Sequence, residues 1–176
     1  LIGLDDVKNE VNSLVNFVNF QKEREKHGLK QNDISYHCVF TGAPGTGKTT
    51  VARILATIFR SLEVIDKGHL IETDRTGMIA EYVGQTAVKV DKLVNDALGG
   101  VLFIDEAYSL STGSSEDFGK EAIAALLKRM EDNRDNLIVI VAGYTDKMKD
   151  FIDMNPGLKS RFNRYIQFDD YSPSEL

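Results

Sequence analysis

Eight consecutive residues, Gly42-Ala43-Pro44-Gly45-Thr46-Gly47-Lys48-Thr49, satisfy the pattern G-x-x-x-x-G-K-[ST] at every fixed position. The chemistry this spacing supports is phosphate binding. Glycines let successive backbone N–H groups turn inward around phosphate oxygens, where a Cβ would obstruct the wrap. Lys48 would bring positive charge to the β- and γ-phosphates, Thr49 a hydroxyl to Mg²⁺, and the helix that follows its positive end. The stretch Pro44, Gly45, Thr46, Gly47, Lys48, Thr49 and Thr50 is therefore the expected nucleotide contact. An accidental glycine-rich turn is the competing account. The context opposes it, because an apolar strand-like run leads into the loop and a helical period leads out.

A second constellation is Val101-Leu102-Phe103-Ile104-Asp105-Glu106, four apolar residues ending in two acids. A buried parallel strand explains the first four. In open α/β sheets ligands sit at the carboxyl ends of strands, which puts both acids on the phosphate-loop side. Asp105 is then placed to hold Mg²⁺, largely through its water shell. Glu106 is the candidate for orienting the attacking water, the part that separates a hydrolase from a binder. An acidic helix N-cap is the plainer reading of an isolated Asp-Glu pair.

The elements that must position these groups follow from hydrophobic spacing. Leu4, Val7, Val11, Leu14, Val15 and Val18 recur at steps of three and four, with Asp5 and Asp6 at the positive end of the predicted helix. A charged segment from Gln21 to Asp33 follows, with Gly28 as a helix stop, and then Ile34 to Thr41 reads as a strand. Val51, Ile54, Leu55, Ile58 and Phe59 restore the helical period. Further strands are expected near 69–73, 101–104, 137–142 and 165–168, with helices over about 86–98 and around Ile123, Leu126, Leu127 and Met130. The polar stretch Ser111 to Asp117 reads as a loop. Strands alternating with helices imply a parallel sheet, since parallel neighbours need a crossover. The expected architecture is α/β, a five-stranded parallel sheet with helices on both faces.

Composition agrees with a single domain. The chain has 176 residues, 42% hydrophobic and 27% charged, with 14 Gly and 3 Pro, values of an ordinary globular chain rather than a fibrous or disordered one. The six-residue aliphatic run Leu137 to Ala142 is far short of the ~18 a membrane span needs, so no membrane partner is expected. No signal peptide is visible at the start. The one cysteine, Cys38, lies in an apolar run and reads as a buried thiol, which fits a reducing, cytoplasmic setting. A net charge of −6 argues against a nucleic-acid partner.

Together with Ile2-Gly3-Leu4, the order of the two motifs resembles the large subdomain of an AAA+ ATPase. The likeness is narrower than that. Glu81-Tyr82-Val83-Gly84-Gln85-Thr86-Ala87, Asp117-Phe118-Gly119-Lys120-Glu121-Ala122-Ile123, Val141-Ala142-Gly143-Tyr144 and Asn155-Pro156-Gly157-Leu158-Lys159-Ser160-Arg161-Phe162 resemble the CbxX/CfqX family. That family includes red-type Rubisco activase, stage V sporulation protein K and ATPases of type VII secretion. The resemblance implies a P-loop NTPase core that binds ATP and Mg²⁺ and hydrolyses ATP. It implies self-assembly into a ring, a hexamer, acting on a protein client. Ile2 and Gly3 would lie against the adenine. Tyr82 matches an aromatic pore loop, although spacing alone reads it as a half-buried tyrosine. Arg161 and Arg164 match arginine fingers that stabilise a neighbouring subunit's γ-phosphate; unaided, Ser160 to Arg164 reads as a solvated turn.

Two departures from the broader AAA+ pattern stand out. Gly143-Tyr144 occupies the end of the fourth predicted strand, where many AAA+ proteins have a sensor Asn, which leaves Tyr144 or Thr145 as candidates. Leu176 ends the chain where a small helical lid would begin, so residues 1–176 read as a large subdomain without its lid. Alternatives to a threading remodeller are a nucleotide-dependent assembly switch or scaffold and, against the acidic balance, a nucleic-acid loader.

Overall fold

The computed structural model describes residues 5–29, 35–112 and 116–169. Ile2 and Gly3 lie outside this range. Elements run α1 (Asp5–Lys26), β1 (Cys38–Thr41), α2 (Lys48–Ser61), β2 (Leu70–Thr73), α3 (Arg75–Met78), α4 (Gln85–Ala97), β3 (Val101–Ile104), a 3-10 turn (Ala107–Ser111), α5 (Glu116–Asp132), β4 (Ile138–Gly143), α6 (Thr145–Asp153), α7 (Pro156–Arg161) and β5 (Arg164–Gln167). The five strands form one parallel sheet in the order β2-β3-β4-β1-β5. The expected five-stranded α/β architecture is the one found.

Strand composition explains the layering. Every residue of β1, β3 and β4 is buried, as parallel strands covered on both faces require. Alternate residues serve opposite faces. Cys38, Phe40, Val101, Phe103, Ile138, Ile140, Ala142 and Ile166 pack with α1 and α2. Val39, Leu102, Ile104, Val139 and Val141 pack with α4, α5, α6 and α7. Phe40 anchors the first layer, its ring 6.4 Å from that of Phe103 and 5.1 Å from that of Phe168. Cys38 is the buried thiol expected, pushed up to about 12 by burial and so un-ionised. Among the described residues no helix is long and apolar enough to cross a membrane.

Three boundaries differ from the sequence expectation. The first helix runs on through the charged segment to Lys26, and Gly28, at φ 72°, marks the stop. The first strand starts at Cys38 rather than Ile34, which lies outside the described residues. Its ladder gives out at His37 because the N–H of Val139 donates to the His37 ring at Nδ1 (2.9 Å) instead of to a backbone carbonyl. The segment between Gly143 and Tyr165, to which the sequence reading assigns no particular element, holds α6 and α7. Met148, Phe151 and Ile152 turn α6 onto the sheet, and the Asn155 side chain accepts from the N–H groups of Gly157 and Leu158 with Pro156 opening α7.

Candidate nucleotide site

The sheet's carboxyl edge carries the motif residues. β1 sits where the connections diverge, β1 to β2 passing one way and β4 to β5 the other, which is the switch point where α/β sheets open a crevice. The loop after β1 is held by its neighbours on both sides. The Gly42 N–H donates to the Gly143 carbonyl at the tip of β4 (3.0 Å), and the Phe168 N–H donates to the Thr41 carbonyl (2.7 Å). Gly42 has φ 147°, and a Cβ there would stand 2.4 Å from the Phe168 carbonyl oxygen. Only glycine fits that approach. Gly45 and Gly47 are also at positive φ, 78° and 95°.

Lys48 opens α2 and folds back over the loop. Its side chain is largely buried, and its ammonium donates to the carbonyls of Gly42 (2.9 Å) and Ala43 (2.7 Å), while the Thr46 hydroxyl donates to Ala43 (2.8 Å). Burial lowers the Lys48 pKa, and the carboxylates of Asp105 and Glu106 oppose that shift, so both acids face the lysine electrostatically. The N-terminus of α2 carries no side-chain cap and no acid in its first turn, leaving its N–H groups and dipole open to an anion. Thr49 is half-buried and Thr50 exposed on that first turn, and Pro44 and Gly45 are exposed at the loop crest.

Asp105 and Glu106 follow β3 directly. The Asp105 N–H donates to Thr73 (2.9 Å), and the Asp105 carboxylate accepts from the Glu106 N–H (3.0 Å). Glu106 takes φ 48°, ψ 44°, a left-handed conformation that costs a non-glycine residue about 1–3 kcal/mol and that clusters at functional sites. The Ser109 hydroxyl and N–H both donate to the Glu106 carbonyl, at 2.7 and 3.0 Å, and hold it there. Among the described residues no group of three or more His, Cys, Asp or Glu could hold a metal ion unaided. A hydroxyl at Thr49 and one carboxylate at Asp105 are instead the oxygen set that suits Mg²⁺ shared with phosphate and water.

Tyr82 and the arginines lie elsewhere. Tyr82 is 72% exposed, between α3 and α4, so it is not the half-buried tyrosine its spacing suggested. The stems of its loop are clamped, by Lys89 donating to the carbonyls of Thr76 (2.7 Å) and Ile79 (3.1 Å) and by the Thr86 hydroxyl accepting from Ala80 (3.1 Å). Arg164 opens β5 opposite Cys38, and Arg161 ends α7 just before it. Both are at the amino edge of the sheet, a full strand length, about 10 Å, from the loop at Gly42. Arg161 is no solvated turn residue: it pairs with Glu131 (3.5 Å) and donates to the Gly157 carbonyl (3.1 Å). The Arg164 guanidinium lies 5.4 Å from the Phe17 ring centroid. Within one chain the structure thus brings Lys48, Asp105 and Glu106 together and leaves Arg161, Arg164 and Tyr82 outside that group. Glu131, Tyr108 and Lys147 were not anticipated from sequence, because each meets its partner through tertiary packing.

Comparisons agree with this geometry. Residues 38–170 match the family model "ATPase family associated with various cellular activities (AAA)". Stage V sporulation protein K of Bacillus subtilis is 46% identical over 176 residues, 100% of this chain and 55% of that protein. The ESX-1 secretion system protein EccA1 of Mycobacterium tuberculosis is 48% identical over 178 residues, 99% of this chain and 31% of that protein. The chloroplastic ribulose bisphosphate carboxylase/oxygenase activase of Cyanidioschyzon merolae is 48% identical over 177 residues, 100% of this chain and 60% of that protein. The chain therefore spans less than two thirds of each of these relatives. In fold it is similar to the crystal structure of the FIGL-1 AAA domain in complex with ADP, with a TM-score of 0.56 at 19% identity over 79% of this chain and 44% of that one. These matches show that the chain belongs to the AAA family of ATPases.

Proposed function

We propose that this chain is the large subdomain of a Mg²⁺-dependent ATPase that assembles into a ring, a hexamer, and pulls on a protein client through Tyr82. The observation that carries this reading is the separation of parts. Lys48, Asp105 and Glu106 share one edge of the sheet while Arg161 and Arg164 stand at the other, a separation that favours arginines serving a neighbour's loop over their own. In this reading the loop from Pro44 to Thr50 holds the triphosphate of ATP. Thr49 and Asp105 would hold Mg²⁺, whose charge offsets that building on the phosphate oxygens. Glu106 orients the water. Arg161 and Arg164 of the adjacent subunit stabilise the transferring phosphoryl group. Ile2 and Gly3, next to α1, would contact the adenine.

The exposed Tyr82 with its neighbour Val83, 87% exposed, supports threading over a pure assembly switch, since a clamped loop that presents two large apolar side chains suits a polypeptide. The buried thiol of Cys38 suits a reducing, cytoplasmic compartment. The relatives' names, drawn from sporulation, secretion and carboxylase activation, leave the client open.

The test mixes two inactive variants. Glu106→Gln should bind ATP but turn it over about 100-fold or more slowly, and Arg161→Ala should be comparably slow. Mixed together, they should recover part of the wild-type rate, because a Glu106→Gln subunit supplies Arg161 to its Arg161→Ala neighbour. No recovery at any ratio, with both variants still binding ATP, would refute a site completed between subunits. Turnover retained in Tyr82→Ala together with client processing would favour the switch.

A further inference from the structure

Outside both motifs, one short turn carries Glu106. In the 3-10 turn Ala107–Ser111 the apolar residues Ala107 and Leu110 are buried, and Ser109 between them makes the polar contacts. Its N–H and its hydroxyl both donate to the Glu106 carbonyl. The Ser109 carbonyl in turn accepts from the guanidinium of Arg75, and the same Nη1 donates to the Thr112 carbonyl (3.0 Å). One nitrogen closes the turn from outside.

Arg75 opens α3, a single helical turn that is itself firmly held. The Asp74 carboxylate accepts from the Gly77 N–H (3.0 Å), the Arg75 carbonyl accepts from the Ile79 N–H (2.9 Å), and Lys89 donates to the carbonyls of Thr76 and Ile79. A Cβ on Gly77 would stand 2.2 Å from Oγ1 of Thr73, so α3 is pressed against the end of β2. That same end takes the Asp105 N–H at the Thr73 carbonyl. The two acids are therefore bracketed by one support, Asp105 through Thr73 and Glu106 through Ser109 and Arg75.

Glu106 needs such a bracket. Its φ of 48° is unfavourable for a residue with a Cβ, and a conformation of that kind persists only where the surroundings over-determine it. Hydrogen bonds of 3-10 geometry are poorer than those of an α-helix, so a lone turn keeps its shape only with outside support. On the apolar side α5 backs the turn, with Gly119 so close to the Leu110 carbonyl that a Cβ would overlap it. Arg75 supplies the polar side. Its guanidinium stays charged, two N–H groups on one nitrogen can serve two carbonyls, and hydrogen bonds from an ionised donor are stronger than neutral ones.

We propose that Arg75 is a positioning residue for ATP hydrolysis: by holding Ser109 it fixes the backbone of Glu106, and so the direction in which that carboxylate meets the attacking water. The inference rests on the assignment of Glu106 as the group that orients the water. The phosphate loop is held by other bonds, from Lys48 to its own carbonyls and between Gly42 and Gly143. Loss of Arg75 should therefore be felt in turnover and not in nucleotide binding.

The experiment measures steady-state ATP turnover, at protein concentrations where the rate per chain no longer rises, and Mg²⁺-ADP affinity. It compares wild type, Arg75→Met, Arg75→Lys, Glu106→Gln and the double variant of Arg75→Met with Glu106→Gln. Arg75→Met should lower kcat about tenfold or more, the scale on which a displaced group costs rate, with KM for ATP and affinity for ADP unchanged. Arg75→Lys, which keeps a cation beside the carbonyls, should recover part of the loss. In the double variant Arg75→Met should cost nothing beyond Glu106→Gln, because a residue that acts only through Glu106 then has nothing left to position. A wild-type kcat in Arg75→Met would overturn the proposal, while a slow Glu106→Gln would leave the water assignment standing. Equal losses in the two backgrounds, or ADP binding that weakens in step with kcat, would overturn it too, by making Arg75 a support of the fold at large. Should Arg75→Met fail to fold, Arg75→Lys and Ser109→Ala carry the same comparison with Glu106→Gln. A Glu106→Gln variant as fast as wild type would end the water assignment and this inference with it, as would a wild-type chain that binds ATP and never turns it over.

Discussion

At the carboxyl edge of the sheet the candidate groups are held by backbone, and at the amino edge they are held by side chains. Lys48 bonds to two loop carbonyls, Gly42 is wedged against Phe168, and Glu106 sits in a left-handed turn fixed by Ser109. Arg161 has one backbone bond, to the Gly157 carbonyl, but otherwise leans on the Glu131 carboxylate, Arg164 leans on the Phe17 ring, and the Ser35 hydroxyl reaches across 126 residues to the Arg161 carbonyl (2.7 Å). Backbone-held groups are preorganised before any ligand arrives, which suits a phosphate cradle. Side-chain-held groups can exchange partners at small cost, which suits residues meant to reach another subunit.

The largest effect should come from breaking the backbone side of this contrast. Gly42→Ala adds a Cβ 2.4 Å from the Phe168 carbonyl oxygen at a φ of 147°, a clash with backbone that no side-chain rotation relieves. It should destabilise the fold by about 3 kcal/mol and abolish nucleotide binding, read from a denaturant midpoint and a titration. A Gly45→Ala control, where an added Cβ meets nothing within 4 Å, separates the clash from the strain of positive φ alone. If Gly42→Ala matched Gly45→Ala in both readouts, the loop would not be pinned as described.

The same contrast explains what was legible in the sequence. A cradle made by backbone geometry needs particular residue types at adjacent positions, so the run from Gly42 to Thr49 could be read directly, as could Asp105 and Glu106 after an apolar strand. Strand and helix periods gave five parallel strands and two faces for the same local reason. Arg161 was assignable only through family likeness, and Glu131 not at all, because a pair formed between α5 and α7 leaves no local spacing to find. The missed helices are different. Asn155-Pro156 is a visible start signal, and Met148, Phe151 and Ile152 a visible apolar face, but in a six-residue and a nine-residue helix those patterns barely complete two turns.

A middle-sized effect should appear under acid at the amino edge. His37 is buried against Phe162, and burial, aided by the Arg161 charge, lowers its pKa to about 4. Neutral His37 accepts from the Val139 N–H, a role its protonated form cannot fill. The folded pKa lies below the unfolded value of 6.5, so between those values the unfolded chain binds more protons and stability falls as pH falls. Between pH 7 and pH 5 the loss should be of order 2 kcal/mol, with His37→Gln, which keeps an acceptor but does not titrate, showing a flatter profile. Parallel pH profiles for the two proteins would remove His37 from the account.

The smallest effect tests whether the Glu131 contact restrains Arg161. Both side chains are substantially exposed, 28% for Arg161 and 57% for Glu131, so the pair is worth at most about 1 kcal/mol. Glu131→Gln should therefore leave the denaturant midpoint nearly unchanged. Its effect should fall on assembly. An arginine that gives up a carboxylate of its own chain before meeting a neighbour's phosphate loses that energy on association, and removing the carboxylate returns it. The protein concentration at half-maximal ATP turnover should then drop severalfold, the range that about 1 kcal/mol allows. A midpoint that rises instead would mean that Glu131 aims Arg161 at the neighbour, and the amino edge would then be as preorganised as the phosphate loop.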